Sequence, residues 1–135
     1  MEQLNKIGHD IIGCAFEVRR TCGKYLLESF YEAALAYELR QLGHQVVLQQ
    51  RLPAIYKGVE IKDSFVMDIV VDDKVVIECK AVSHLSGVEV KQLYTYLYLS
   101  RFKLGYLINF DADDFSPCVW KNNLNNDKGI IRIIR

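Results

Sequence analysis

Apolar residues recur at three- and four-residue steps from Leu4 through Ile7, Ile11, Cys14, Ala15 and Val18 to Cys22. This period predicts an amphipathic helix, and Gly23 supplies the residue that commonly closes one. A second helix is expected from about Leu26 to Leu42, with Leu27 or Glu28, Tyr31, Leu35, Leu39 and Leu42 on its stripe and Gly43 after its end. The period then shortens. VVLQQRLPAIYKG reads as a strand that Pro53 confines to an edge or a bulge. SFVMDIVV and KVVIECKAV read as two more strands joined by a turn at Asp72-Asp73. Both faces of this pair are apolar, so the sheet should be covered on both sides. Helical composition returns from Gly87 to about Arg101, LGYLINF follows as a buried strand, and PCVWKN and GIIRIIR are candidate peripheral strands. The order helix, helix, three strands, helix, strand and tail predicts an α/β fold with a central mixed sheet flanked by helices.

Composition narrows the class. The chain has 135 residues, half of them hydrophobic, and 17 Lys and Arg balance 17 Asp and Glu. These proportions exclude a disordered or fibrous chain, and the length suits one domain over 1–135. Cys14, Cys22, Cys79 and Cys118 form no C-x-x-C pair and stand apart from the three His, which argues against structural zinc. Irregular spacing in a domain of this size also argues against a disulfide framework, so four reduced thiols and a cytoplasmic protein are expected. The first twenty residues lack the apolar run of a signal peptide, and no stretch approaches a membrane span. The zero net charge gives no basic footprint to draw the protein onto nucleic acid from a distance.

The candidate chemistry lies in charges where apolar residues belong. Asp68 interrupts SFVMDIVV, and Glu78 and Lys80 interrupt KVVIECKAV. Each costs several kcal/mol, as an order of magnitude, unless paired or ligated. Glu78 and Lys80, two apart, share a strand face. Where Asp68 lies depends on the turn. A two-residue loop pairs it with Ile77 and sends it to the opposite face from Glu78, whereas a three-residue loop through Lys74 pairs it with Glu78. The second register is the expected one. It gathers two carboxylates and an ammonium, a donor set suited to Mg²⁺ or Mn²⁺. Spacing alone equally fits a structural salt bridge between Lys80 and one of the acids.

Two further features bear on that choice. Glu28 falls on or beside the stripe of the second helix, near its start, where the helix dipole favours a carboxylate and a third metal ligand could sit; Glu32, one turn on, is a weaker candidate. Gln92 and Tyr96, four apart, share a face of the helix after Lys80, where an amide and a hydroxyl can position a backbone or a water. For Tyr96 alone, amphipathic packing is the better account; the pair is more telling than either member.

Taken together, Asp68 on one strand and Glu78-Cys79-Lys80 on the next resemble the signature of the PD-(D/E)XK nuclease superfamily, with its restriction-endonuclease-like core. Gln92 and Tyr96 are similar to the QxxxY helix motif of its RecB-like branch. From about Ile7 to Phe110 the chain resembles the small bacterial GxxExxY proteins assigned to that superfamily. Glu28 and Tyr31 match the family name, while Tyr25 stands where its glycine is expected, Arg19 where it often has His, and Met67 where the superfamily has Pro. The resemblance implies that Asp68, Glu78 and the Cys79 backbone carbonyl ligate Mg²⁺ or Mn²⁺. It implies that Lys80 orients the attacking water or stabilises the developing charge, that Glu28 completes the acidic site, and that Gln92 and Tyr96 support it.

The function so implied is metal-dependent hydrolysis of a phosphodiester in DNA or RNA. The alternative is a catalytically silent module that keeps the nuclease fold and acts through a protein partner, which the neutral charge and small size would suit. Nucleic acid is the expected partner, bound weakly by this domain alone; a homodimer or protein partner would add grip, and no membrane is expected.

Overall fold

The computed structural model describes residues 1–121 and 127–135. Two helices come first, α1 (Glu2–Cys22) and α2 (Glu28–Gln41), then strands β1 (Val46–Tyr56), β2 (Val59–Val71) and β3 (Val75–Lys80). Helix α3 (Gly87–Ser100) and strands β4 (Leu104–Asn109), β5 (Asp114–Val119) and β6 (Lys128–Ile134) complete the chain. The six strands form one mixed sheet in the order β1-β2-β3-β4-β6-β5. This is the α/β architecture expected from the sequence, of the restriction-endonuclease-like kind. No helix among the described residues is long and apolar enough to cross a membrane.

Each face of the sheet carries its own core. Alternate residues Val75, Ile77 and Cys79 of β3 pack under α1 and α2 with Ile11, Leu35 and Leu39. Val76 of the same strand packs under α3 with Leu93 and Leu97. Both faces are thus apolar, as a covered sheet requires. A capping box starts α3: Ser86 accepts a hydrogen bond from the Val88 N–H, and Glu89 accepts one from the Ser86 N–H. The helix then carries the chain from β3 to the parallel strand β4.

Several elements differ from expectation. Helix α2 starts at Glu28, and the stripe residues Leu27 and Leu42 at its ends are exposed. GIIRIIR is not peripheral. It becomes β6, paired with β4 on one side and β5 on the other, and Ile130, Ile131 and Ile133 are buried. The expected PCVWKN strand is shifted to Asp114–Val119, and Asn122 lies outside the described residues. Strand β2 begins at Val59, well before Ser64. Its extra residues pair with the end of β1 across a Lys57-Gly58 turn to make a long hairpin.

That hairpin changes faces part-way along. Val46 and Leu48 of β1, and Ile69 and Val71 of β2, belong to the α1/α2 side. Leu52 and Met67 should follow them by strict alternation, yet they pack on the α3 side, as does Phe65. The switch falls at Gln49 and Asp68, where the β1–β2 ladder skips a rung and Gln49 has φ 53°. Pro53 lies in the register shift between Leu52 and Ala54, on the edge strand. The outer half of the hairpin therefore forms an arm over α3.

Helix α1 approaches the sheet closely at Gly8. A Cβ built there would lie 2.3 Å from the Tyr106 hydroxyl oxygen, and the Tyr106 ring is 1% exposed and held in place. Gly8→Ala should therefore destabilise the fold by about 1–3 kcal/mol in urea titration, although Ala is the better helix former. Tyr106→Phe in the same chain should recover a large part of that loss. No recovery would mean that α1 packs differently from this description.

Candidate active site

The β2–β3 turn decides whether a site exists. Lys74 N–H donates to the Val71 carbonyl, and the pairs are Val71 with Val75, Val70 with Val76, and Ile69 with Ile77. This is the three-residue register. Its cause is visible at the turn, where Asp72 and Asp73 have φ 53° and 54°, conformations that Asp tolerates better than most residues. Two neighbours hold the Asp72 side chain there. It accepts from the Gln45 N–H and faces His44 Nδ1 at 2.6 Å, while His44 Nε2 faces Asp10 of α1 at 2.8 Å. Burial alone would lower the His44 pKa, but the hydrogen bonds to Asp72 and Asp10 outweigh it and raise the pKa. His44 thus ties α1 to the turn and helps fix which residues face each other further along.

Past the Ile69–Ile77 rung the backbone ladder stops, and carboxylates take its place. Asp68 N–H donates to Glu78 Oε2 at 2.8 Å, and Cys79 N–H donates to Asp68 Oδ2 at 3.0 Å. The two acids lie crosswise between strands that have ceased to pair. In an extended strand a residue's N–H and C=O point the same way, so the Cys79 carbonyl faces the same gap. Glu78 is 3% exposed. Burial, with the Asp68 charge second, pushes its pKa up to about 8, against the pull of the Asp68 N–H and of Lys80.

Further groups surround the pair. Gln49 donates to both Glu32 carboxylate oxygens, at 2.9 and 3.1 Å, and to Asp68 Oδ1 at 3.3 Å. Burial and the neighbouring Asp68 and Glu28 charges raise the Glu32 pKa, against the Gln49 hydrogen bond. Lys80 is half-buried and makes no ion pair among the described residues, which removes the salt-bridge account of its place in the strand. Glu28 is not core-facing as expected. It is exposed at the start of α2, where it accepts from the Ala81 N–H at 3.3 Å. Tyr31 takes the inward face instead. Its hydroxyl donates to the Gly23 carbonyl and accepts from the Leu26 N–H, and its ring stacks on Phe110 at 4.4 Å. Tyr31 fixes the loop that delivers Glu28 to the end of β3.

On the other face, Tyr96 is buried, and Gln92 beside it is half-buried. Burial, then the Glu78 and Asp68 charges, push the Tyr96 pKa up to about 12, with Gln92 opposing. Its hydroxyl is therefore a neutral donor near the acids at ordinary pH. Gln49 is the residue that sequence reasoning missed. A polar residue on an edge strand carries no periodic signal, and nothing local announces its positive φ.

A family model described as the PD-(D/E)XK nuclease superfamily matches residues 5–120. The chain belongs to this superfamily. No curated protein and no solved structure matches it significantly. Superfamily membership points to nuclease chemistry, and PD-(D/E)XK nucleases generally use divalent metals.

The residues fit that need in chemistry more than in assembled geometry. Among the described residues, no three His, Cys, Asp or Glu side chains converge as a metal cage. The donors near Asp68 and Glu78 are oxygens, however. Burial first, and the Asp68 charge second, raise the Glu78 pKa, and a cation would offset both. Mg²⁺ keeps several waters and commonly binds through one or two carboxylates, so a PD-(D/E)XK site with two suffices.

Proposed function

We propose that this protein is a metal-dependent phosphodiesterase that hydrolyses DNA or RNA at Asp68, Glu78 and Lys80. The supporting observation is the crossed Asp68–Glu78 pair at the end of the β2–β3 ladder, with Lys80, which makes no ion pair among the described residues, near enough to pull on Glu78. Asp68, Glu78 and the Cys79 carbonyl would hold Mg²⁺ or Mn²⁺, with Glu28 at the rim. The ion, when bound, polarises the scissile phosphate and lowers the pKa of its water.

The chain's own groups do the rest. Lys80 holds the attacking water or offsets negative charge gathering on the phosphate oxygens. Gln49 and Glu32 keep Asp68 in place. Tyr96, kept neutral by burial and by the Glu78 and Asp68 charges, hydrogen-bonds Gln92 beside the acids. Within the superfamily we place the protein with the GxxExxY group on Glu28 and Tyr31. We read 1–135 as one nuclease domain. The four thiols are all free, which suits the reducing cytoplasm.

Cleavage tests this directly. Single- and double-stranded DNA and RNA, each incubated with Mg²⁺, Mn²⁺ or EDTA, should give products from at least one substrate with metal and none with EDTA. Intact substrates throughout, from folded protein, would favour the silent module acting through a partner. Cutting both strands of a duplex would further call for two sites and hence a homodimer.

A further inference from the structure

A second charged region lies at the arm tip and the C-terminal end of α3. A hollow of about 310 Å³ is lined by Ile55, Lys57 and Gly58 at the arm tip, Tyr98, Leu99 and Arg101 at the end of α3, and Arg135. Its three cations make no ion pair among the described residues. Arg101 also lines the adjoining hollow with Lys74, Lys103 and one carboxylate, Asp73. Five side-chain cations thus stand against one side-chain carboxylate in a chain whose formal charge is zero.

The chain conformation there is unusual. Lys57 has φ 51° and Arg101 φ 67°, left-handed positions where Gly or Asn is the ordinary choice. Gly23 and Gly43 follow α1 and α2, whereas α3 is closed by an arginine. Two strained positions thus both hold cations, and both face one hollow. Aromatic rings steady two of the hollow's cations: the Lys57 ammonium lies 5.6 Å from the Tyr56 ring and the Arg135 guanidinium 5.3 Å from that of Tyr98.

We propose that this hollow grips the phosphodiester backbone of the nucleic-acid substrate. The inference rests on the nuclease reading for the identity of the polyanion. Tyr96, near the acids, and Arg101, at the hollow, are five residues apart along α3, about 8 Å at the usual helical rise. A strand gripped by Lys57, Arg101 and Arg135 presents a phosphate a few nucleotides away to the Asp68–Glu78 pair, at about 3.4 Å per nucleotide. Helix α3 also turns Lys91, Tyr94 and Tyr98 outward. Within a chain of zero net charge, the cations of the hollow thus form a local positive patch apart from the acidic cluster.

The test is binding of labelled single- and double-stranded oligonucleotides in EDTA, followed by fluorescence anisotropy across a salt series. The variant carries Lys57→Gly, Arg101→Gly and Arg135→Gln. Its affinity should fall about tenfold or more near 0.1 M salt, and its log–log salt slope should flatten by about 2–3. Its melting temperature should hold or rise, because Gly relieves both left-handed positions. A control with Lys6, Arg20 and Lys128 changed to Gln loses the same charge from elsewhere and should bind nearly as wild type. An oligonucleotide with neutral methylphosphonate linkages should not bind. Equal losses in variant and control, no loss in the variant, or no binding by wild type would each overturn the proposal. The Mn²⁺ response of the melting temperature, which the hollow does not touch, separates the two readings. Variant-dependent binding without that response, and without cleavage, would retain the grip and sink the nuclease.

Discussion

Asp68→Ala should reduce metal-dependent cleavage by about 1,000-fold or more, equivalent to roughly 4 kcal/mol of transition-state stabilisation. Asp68 faces the gap that would hold the ion, and its Oδ2 also accepts the Cys79 N–H. The variant thus removes a ligand and a strand-to-strand bond at once, so Asp68→Asn is the sharper companion. Asn can still accept from Cys79 but brings no charge. In EDTA it should melt no lower than wild type, because an acid no longer presses on Glu78. Saturating Mn²⁺ should raise the wild-type stability by about 3 kcal/mol at a hundred times its dissociation constant, and both variants should lose that gain. Cleavage equal to wild type would expose a contaminating nuclease and remove Asp68 from the mechanism.

Glu78→Gln should abolish a pH dependence that the metal-free wild type shows. The Glu78 pKa is about 8 in the fold, against an ordinary 4.5. Below the ordinary value the carboxyl is protonated whether the chain is folded or unfolded, and its burial costs no ionisation. As pH rises from there, the unfolded chain releases the proton and the folded chain keeps it, so stability falls until the folded group also titrates near pH 8. The loss is on the order of a few kcal/mol. Glu32 and His44, also raised, add losses of the same sign, so the quantity to measure is the difference between wild type and variant. Urea titrations in EDTA at intervals from pH 4.5 to 9 should show that difference growing in favour of Gln and levelling above about 8. Parallel curves would mean that Glu78 ionises freely in the fold. Saturating Mn²⁺ should flatten the wild-type curve, because the ion competes with the proton for the same oxygens.

The site's strands were legible because Asp68, Glu78 and Lys80 break apolar runs, and burying a charge requires a reason. The register turns on Asp72, Asp73 and Lys74, but the apolar pattern fits either loop length, and the His44 clamp that holds the turn leaves no local trace. Glu28 was misplaced for a physical reason. The apolar period of α2 runs on into Leu26 and Leu27, which precede the helix and are exposed, so the stripe overruns the helix and takes in Glu28. Tyr31 occupies the inward position instead. Its place at the end of the chain suggests a peripheral position for GIIRIIR, yet chain order does not dictate sheet order, and β6 inserts between β4 and β5. The arm was half visible. Val59 and Ile61 are exposed in a two-stranded extension, where alternation has no core to report on.

The change of face at Gln49 and Asp68 makes the hairpin modular. Residues on the helix-pair side of that rung set the position of the carboxylate, while those beyond it answer to α3. The arm can therefore lengthen, shorten or be exchanged, with its fit to α3 as the main constraint, while Asp68 keeps its place. A chain built this way can acquire a new preference for what it holds by grafting one hairpin, with the chemistry inherited intact.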